Sequence, residues 1–354
     1  MSEESFDTSS RKMFDATKEV NNKTDNNNRL HFWSNSTNSV SLVLLSILEA
    51  IIVIALEAVI FVNFHNTEFS KHNLGLGIPV YLMIFITSQV FQVFTAWDAV
   101  RAQNTIQVIA FLLFNLCCFV YAVFQFKQMA DALTSNDPYL GELANWLKSF
   151  IYRLLIAVAV ITGVCQLAYF YLGIRLYQEF GWKIYKRIGA DPEIRNMYRW
   201  YQIFLTILKL DFFFFLGYSI QYLILVLRNN DPEFPLTIVA LPITCLVLLL
   251  AVYAVRHESK WLISLFFLGL FAGVAYFSFK LYRIYDPSQA EKYKFVKDFL
   301  TFFASVSLAF VVLTLVNAII CFLNFDKGLK PHLTSRHRQS SAPENLNERT
   351  LSLD

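Results

Sequence analysis

The sequence predicts an all-α fold, a polytopic transmembrane bundle of about eight helices, and three observations carry that prediction. Hydrophobic residues make up 56% of the chain and charged residues only 16%, against about 25% charged in average soluble proteins. The apolar residues gather into runs of about 20 or more, enough at 1.5 Å per residue to cross a hydrocarbon core of ~30 Å. Between the runs lie shorter links with helix-ending chemistry. Asp-Pro occurs four times, at Asp137, Asp191, Asp231 and Asp286, a pair in which Asp caps a helix and Pro opens its first turn. A soluble helical protein of this size would show amphipathic stripes instead of unbroken runs.

Residues 1–39 read as a disordered cytosolic tail, because stretches such as NNKTDNNN bury too little apolar surface to offset their ordering entropy. No apolar segment of a cleavable signal peptide precedes the first run, which is therefore expected to act as an uncleaved anchor. The runs span 40–64, 77–97, 105–126, 150–177, 201–227, 235–255, 261–282 and 299–325. Together they form a transmembrane domain over 40–325. The second is the weakest span, interrupted by Thr87, Ser88, Gln89 and Gln92. Residues 326–354 form a second disordered cytosolic tail, basic and then Ser-rich. Asp-Pro links after the third and seventh runs hint at a four-plus-four duplication, although no matching side chains accompany them.

Outside the membrane core, 19 Lys and Arg residues fall on the side of the two termini and 8 on the opposite side. The positive-inside rule therefore places both termini in the cytosol. Sequons at Asn22-Lys23-Thr24 and Asn35-Ser36-Thr37 are then expected to stay unglycosylated.

Catalytic signatures are missing. The sequence contains no HExxH, nucleophile elbow or phosphate-cradling glycine loop, so neither an enzyme nor a cofactor is expected. The five cysteines all lie within or at the ends of apolar runs, with no disulfide framework and no metal spacing. Cys321, near the last membrane boundary, is a palmitoylation candidate. A net charge of +3 gives no argument for nucleic acid.

Charge inside the membrane is costly and marks the candidate site. Glu49 and Glu57 lie in the first run, Lys209 and Asp211 in the fifth. Both runs enter from the cytosolic side, which puts Glu49 at a depth of ~13 Å and Lys209 and Asp211 at ~12–15 Å. Glu49 and Lys209 are accordingly expected to pair. Asp211 points away from Lys209 on its helix and is expected to need a Tyr, Gln or Ser donor from a neighbour. Glu57 is expected to meet a snorkelling Arg153. Such a constellation suits either a proton- or ion-coupled transport site or a structural pair fixing the first and fifth helices together. Gly269-Leu-Phe-Ala-Gly273 predicts close helix packing within the bundle. In the C-terminal tail, Arg338 lies three residues before Ser341 and Pro343 two after it, a candidate phosphosite of the kind read by phosphoserine-binding adaptors.

The link between the fourth and fifth runs interleaves Lys183, Lys186 and Arg187 with Trp182, Ile184 and Tyr185. It is expected to continue the fourth helix to Gly189, after which Asp191-Pro192 opens the fifth, anchored by Arg195, Arg199 and Trp200. The lipid bilayer is the expected partner. This basic hinge suits contact with anionic lipid, worth about 1 kcal/mol per base.

The run FGWKIYKRIGADPEIRNMYRWYQIFLTILKLDFFFFLGYSIQ, chiefly Gly181 to Gln221, resembles the signature region of an uncharacterised, UPF0658-like family of fungal multi-pass membrane proteins assigned to the Golgi apparatus. The resemblance implies a Golgi or related endomembrane location and a fungal source. It carries over no catalytic or binding residue. The leading reading is a non-enzymatic integral Golgi membrane protein. A secondary transporter using Glu49, Lys209 and Asp211, and a seven-helix receptor-like protein with termini on opposite sides, remain as alternatives.

Overall fold

A computed structural model describes residues 36–65, 77–134, 145–188, 192–226, 233–287, 293 and 296–325. The N-terminal sequon asparagines and Ser341 lie outside the described residues. Among the described residues, eight helices follow the eight predicted runs: α1 Thr37–His65, α2 Gly77–Ala102, α3 Thr105–Thr134, α4 Asn145–Ile188, α5 Pro192–Leu225, α6 Glu233–Arg256, α7 Lys260–Tyr285 and α8 Lys297–Leu323. Seven are long and apolar enough to cross a membrane, while the apolar part of α6 is the shorter Leu241–Arg256 and carries Pro242. Of the polar interruptions of the second run, Ser88, Gln89 and Gln92 are explained by their place in the bundle, while Thr87 is exposed and donates to the Met83 carbonyl of its own helix. Gln89 and Gln92 of α2 are fully buried against protein, so they meet no lipid.

The helix ends follow local chemistry. α4 continues through the basic stretch to Ile188 and α5 begins at Pro192, on either side of Gly189 and Asp191. At 44 residues, α4 is about 66 Å long by the 1.5 Å rise, roughly twice the hydrocarbon thickness. Between α2 and α3 the chain turns within two residues. Gln103 adopts a left-handed φ of 48°, and the Asn104 side chain accepts the Ile106 N–H at 3.0 Å, capping α3.

The packing resolves into two rings of four. α1 packs on α2, α2 on α3, α3 on α4, and α4 returns to α1; α5, α6, α7 and α8 close a second ring in the same order. The rings join where α5 lies against α2 and α3, and α8 against α3. An aromatic seam fills the junction: Phe213 stacks on Phe91 at 4.7 Å between centroids and meets Phe114 edge-on at 4.9 Å.

The sidedness of α1 explains how charge enters such a bundle. Leu42, Ser46, Glu49, Val53, Glu57 and Ile60 are buried, while Leu44, Leu48, Ile51, Val59 and Val62 face outward. Steps of three and four residues put the first set on one inner stripe. The two glutamates therefore point into protein, and the outer face is uniformly apolar.

Candidate functional site

Glu49 is the centre of a polar knot tying all four helices of the first ring. Gln92 of α2 donates its amide to the carboxylate at 2.7 Å, Asn115 of α3 donates at 3.3 Å, and the Tyr169 hydroxyl of α4 donates at 2.5 Å. All four side chains are at most 1% exposed. A buried carboxylate is tolerated when its oxygens are matched by donors, and here every donor comes from a different helix. Two turns along, Glu57 accepts the Gln125 amide of α3 at 3.0 Å.

The second ring has its own carboxylate. Asp211 of α5 accepts a hydrogen bond from Thr314 of α8, and both are buried. Lys280 of α7 is also buried, with Nζ 3.9 Å from the Tyr222 ring centroid and 5.4 Å from that of Tyr276, a cation–π setting.

These contacts revise two expected pairings. Glu49 does not pair with Lys209, because its oxygens are taken by the three donors of its own ring. Lys209 instead forms a salt bridge with Asp98 of α2. Lysine stems reach back towards the helix N-terminus, which draws the ammonium to the level of Asp98 near the end of α2. The pair is partly wetted, at 37% and 24% side-chain exposure. Nor does Arg153 meet Glu57: its Nε donates to the Ser149 carbonyl at 3.3 Å on the outer surface. The palmitoylation candidate Cys321 is buried at 5% exposure, with its thiol on Asn317 Oδ1 at 3.7 Å, where no acyl donor reaches it. Gly269 is exposed and Gly273 half-buried, and each approaches a neighbouring helix only at ordinary contact distance. A Cβ on Gly269 would lie 3.5 Å from Val247 of α6, and one on Gly273 would lie 3.6 Å from Val311 of α8.

The basic hinge divides between two helices. Lys183, Lys186 and Arg187 sit on the last turns of α4, and Arg195 and Arg199 on the first two turns of α5. Beside it lies a cavity of about 500 Å³, lined among others by Asn104, Tyr177, Arg195, Tyr198, Arg199 and Gln202. Its floor is fixed by a chain of bonds. Asn104 donates to Gln202 at 2.9 Å, and Gln202 donates to the Tyr198 hydroxyl at 2.7 Å.

Comparison with known proteins places this architecture. The chain is 30% identical over 319 residues to the UPF0658 Golgi apparatus membrane protein of Schizosaccharomyces pombe, covering 83% of this chain and 89% of that protein. The chain belongs to the UPF0658 family. It is thus a multi-pass membrane protein of the Golgi apparatus, and the family name carries no activity. No family model matches the chain, and no solved structure matches it. The polar partners in this UPF0658 member, Gln92, Asn115, Gln125, Tyr169 and Thr314, are neutral residues scattered through apolar runs. Only the glutamines of the second run stand out in the sequence as interruptions. Asp98 falls one residue past the second run as drawn from hydropathy, so it reads as a link residue, although an acid at that end is level with Lys209.

The Lys209–Asp98 pair lends itself to a direct exchange. Lys209→Leu is expected to cost about 1 kcal/mol, the range for a partly solvated ion pair. The charge-swapped double variant Asp98→Lys/Lys209→Asp is expected to recover most of it, read as the thermal unfolding midpoint of detergent-solubilised protein. Equal losses in the single and swapped variants would show that the pair is not what holds α2 to α5.

Proposed function

We propose that this UPF0658 protein is a non-enzymatic integral membrane protein of the Golgi, with both termini in the cytosol. In this reading its intramembrane charges fasten helices, and its basic hinge rests on the anionic cytosolic leaflet. The observation that carries it is the separation of the charges. Glu49 is held by α2, α3 and α4, Lys209 by α2, and one oxygen of Asp211 by α8, its other oxygen having no hydrogen-bond partner among the described residues. A relay needs titratable groups that converge on a common passage, whereas these three contact separate neighbours and not one another. The excess of Lys and Arg on the side of the termini supports the orientation, and five basic residues around the α4–α5 link support the leaflet contact.

The test is reconstitution of the full chain into liposomes under an imposed pH gradient, with wild type and Lys209→Gln compared at equal folded content. Both are expected to leave the gradient unchanged relative to empty vesicles. A proton flux present in wild type and absent in the variant would replace this reading with the transporter. Tags at both termini of protein in sealed Golgi vesicles are expected to be cleaved by added protease. Protection of either one would overturn the orientation.

A further inference from the structure

The geometry points to the cavity between α3, α4 and the start of α5 as a binding site for the phosphorylated headgroup of a membrane lipid, gripped by Arg195 and Arg199. This rests on the proposed leaflet contact and makes it a defined site. Three features carry it. The first is unclaimed charge. Arg195 and Arg199 are four residues apart, on one face of α5, and both line the cavity. Among the described residues neither has an ion-pair or hydrogen-bond partner, and none of the described lining residues is acidic. Two guanidinium forks on one wall match the oxygens of a phosphate better than they match any single carboxylate.

The second is capacity. A volume of about 500 Å³ lies within the roughly 300–1,000 Å³ of ordinary small-ligand pockets. The Asn104–Gln202–Tyr198 chain holds the floor in place without the ligand, so little ordering is left for binding to bring about.

The third is the wall opposite the arginines. Ile109 of α3 and Tyr177 of α4 line the cavity, and both also belong to the outward-facing apolar surface, beside Tyr171 and Ile174. The site is therefore continuous with the face that meets the bilayer. A phosphate on a glycerol and its acyl chains satisfies both walls at once, and a free phosphate satisfies only one. The double charge of a phosphomonoester suits two arginines better than the single charge of a phosphodiester or of phosphatidylserine.

The test uses the full chain in phosphatidylcholine nanodiscs doped with phosphatidylinositol monophosphate or with phosphatidylserine, with bound lipid counted by native mass spectrometry. Wild type is expected to retain the monophosphate at least tenfold better than phosphatidylserine. The Arg195→Gln/Arg199→Gln variant is expected to lose that preference, and Arg175→Gln, on α4 outside the cavity, to keep it. Soluble glycerol phosphate is expected to compete only at concentrations at least a hundredfold above the lipid. Equal competition would reassign the site to a free phosphate ester and overturn the lipid assignment. Equal retention of the two lipids, with Arg175→Gln as harmful as the double variant, would overturn the site while leaving a diffuse leaflet contact standing. No retention of either lipid above phosphatidylcholine would overturn both.

Discussion

Glu49→Ala is expected to destabilise the protein by about 2–4 kcal/mol. The change removes the one acceptor shared by Gln92, Asn115 and Tyr169 and leaves three donors buried at 1% exposure or less. Stranding a buried polar group costs about 1–3 kcal/mol. Interhelical hydrogen bonds in membrane proteins average nearer 0.6 kcal/mol, because freed groups find other partners. The knot sits closer to the first figure, since its three donors come from three helices that all lose the same acceptor at once. Glu49→Gln keeps the shape and one acceptor oxygen but sets a new amide among donors, so about half the loss is expected. Glu57→Leu strands only Gln125 and should fall below both. The order Ala, then Gln, can be read from the temperature at which a thiol-reactive dye labels Cys118, which is 4% exposed in the folded chain. A Glu49→Ala protein that labels at the wild-type temperature would show that the knot holds nothing.

Gly217→Ala is expected to cost about 1–3 kcal/mol through overpacking, with Gly217→Val costing more. A Cβ at this position of α5 would stand 2.6 Å from Phe303 Cε1 of α8. That ring cannot simply swing aside. Phe214, Tyr121 and Phe302 hold it at centroid distances of 5.8, 5.8 and 5.7 Å. Shrinking the ring should relieve the clash, so Gly217→Ala/Phe303→Leu is expected to lie closer to wild type than the sum of its single variants, a coupling that a thermodynamic cycle measures. Additive losses would place the strain elsewhere. By contrast, Gly269→Ala and Gly273→Ala, with 3.5 and 3.6 Å to their nearest neighbours, should be close to neutral.

Those glycines illustrate what could be read from the sequence and what could not. The GxxxG spacing of Gly269 and Gly273 drew attention to ordinary van der Waals contacts. The tight approaches are at Gly217, at Gly173, whose Cβ would lie 2.7 Å from Leu112, and at Gly163, whose Cβ would lie 2.9 Å from Phe119; none belongs to a GxxxG pair, because a close approach depends on the partner helix and not on local spacing. The helices themselves were legible, since length and apolarity are properties of a single run. Pairings were not. Hydropathy puts Glu49 and Lys209 at similar expected depths and so suggests a pair, but which helices are neighbours is set by the ring closure, and that closure puts α4 rather than α5 beside α1. Asp211 does take a neutral donor from a neighbouring helix, but a threonine of the last helix and not the Tyr, Gln or Ser that the sequence suggests, because nothing distinguishes that threonine from its apolar surroundings.

The two rings have a consequence for how the chain is made. In each, the first helix carries a buried carboxylate that takes a hydroxyl from the fourth: Glu49 from Tyr169 in one, Asp211 from Thr314 in the other. Helices leave the ribosome in order, and 119 residues lie between Glu49 and Tyr169. Until α4 is threaded into the bilayer, α1 carries an acid that lacks its Tyr169 donor and has only those of α2 and α3, and a similar interval recurs when α5 waits for α8. Synthesis of this protein thus passes twice through a moment when a half-built membrane assembly exposes a polar fault. Those two moments, more than any property of the finished bundle, are where a quality-control factor that surveys nascent membrane proteins would find something to grip.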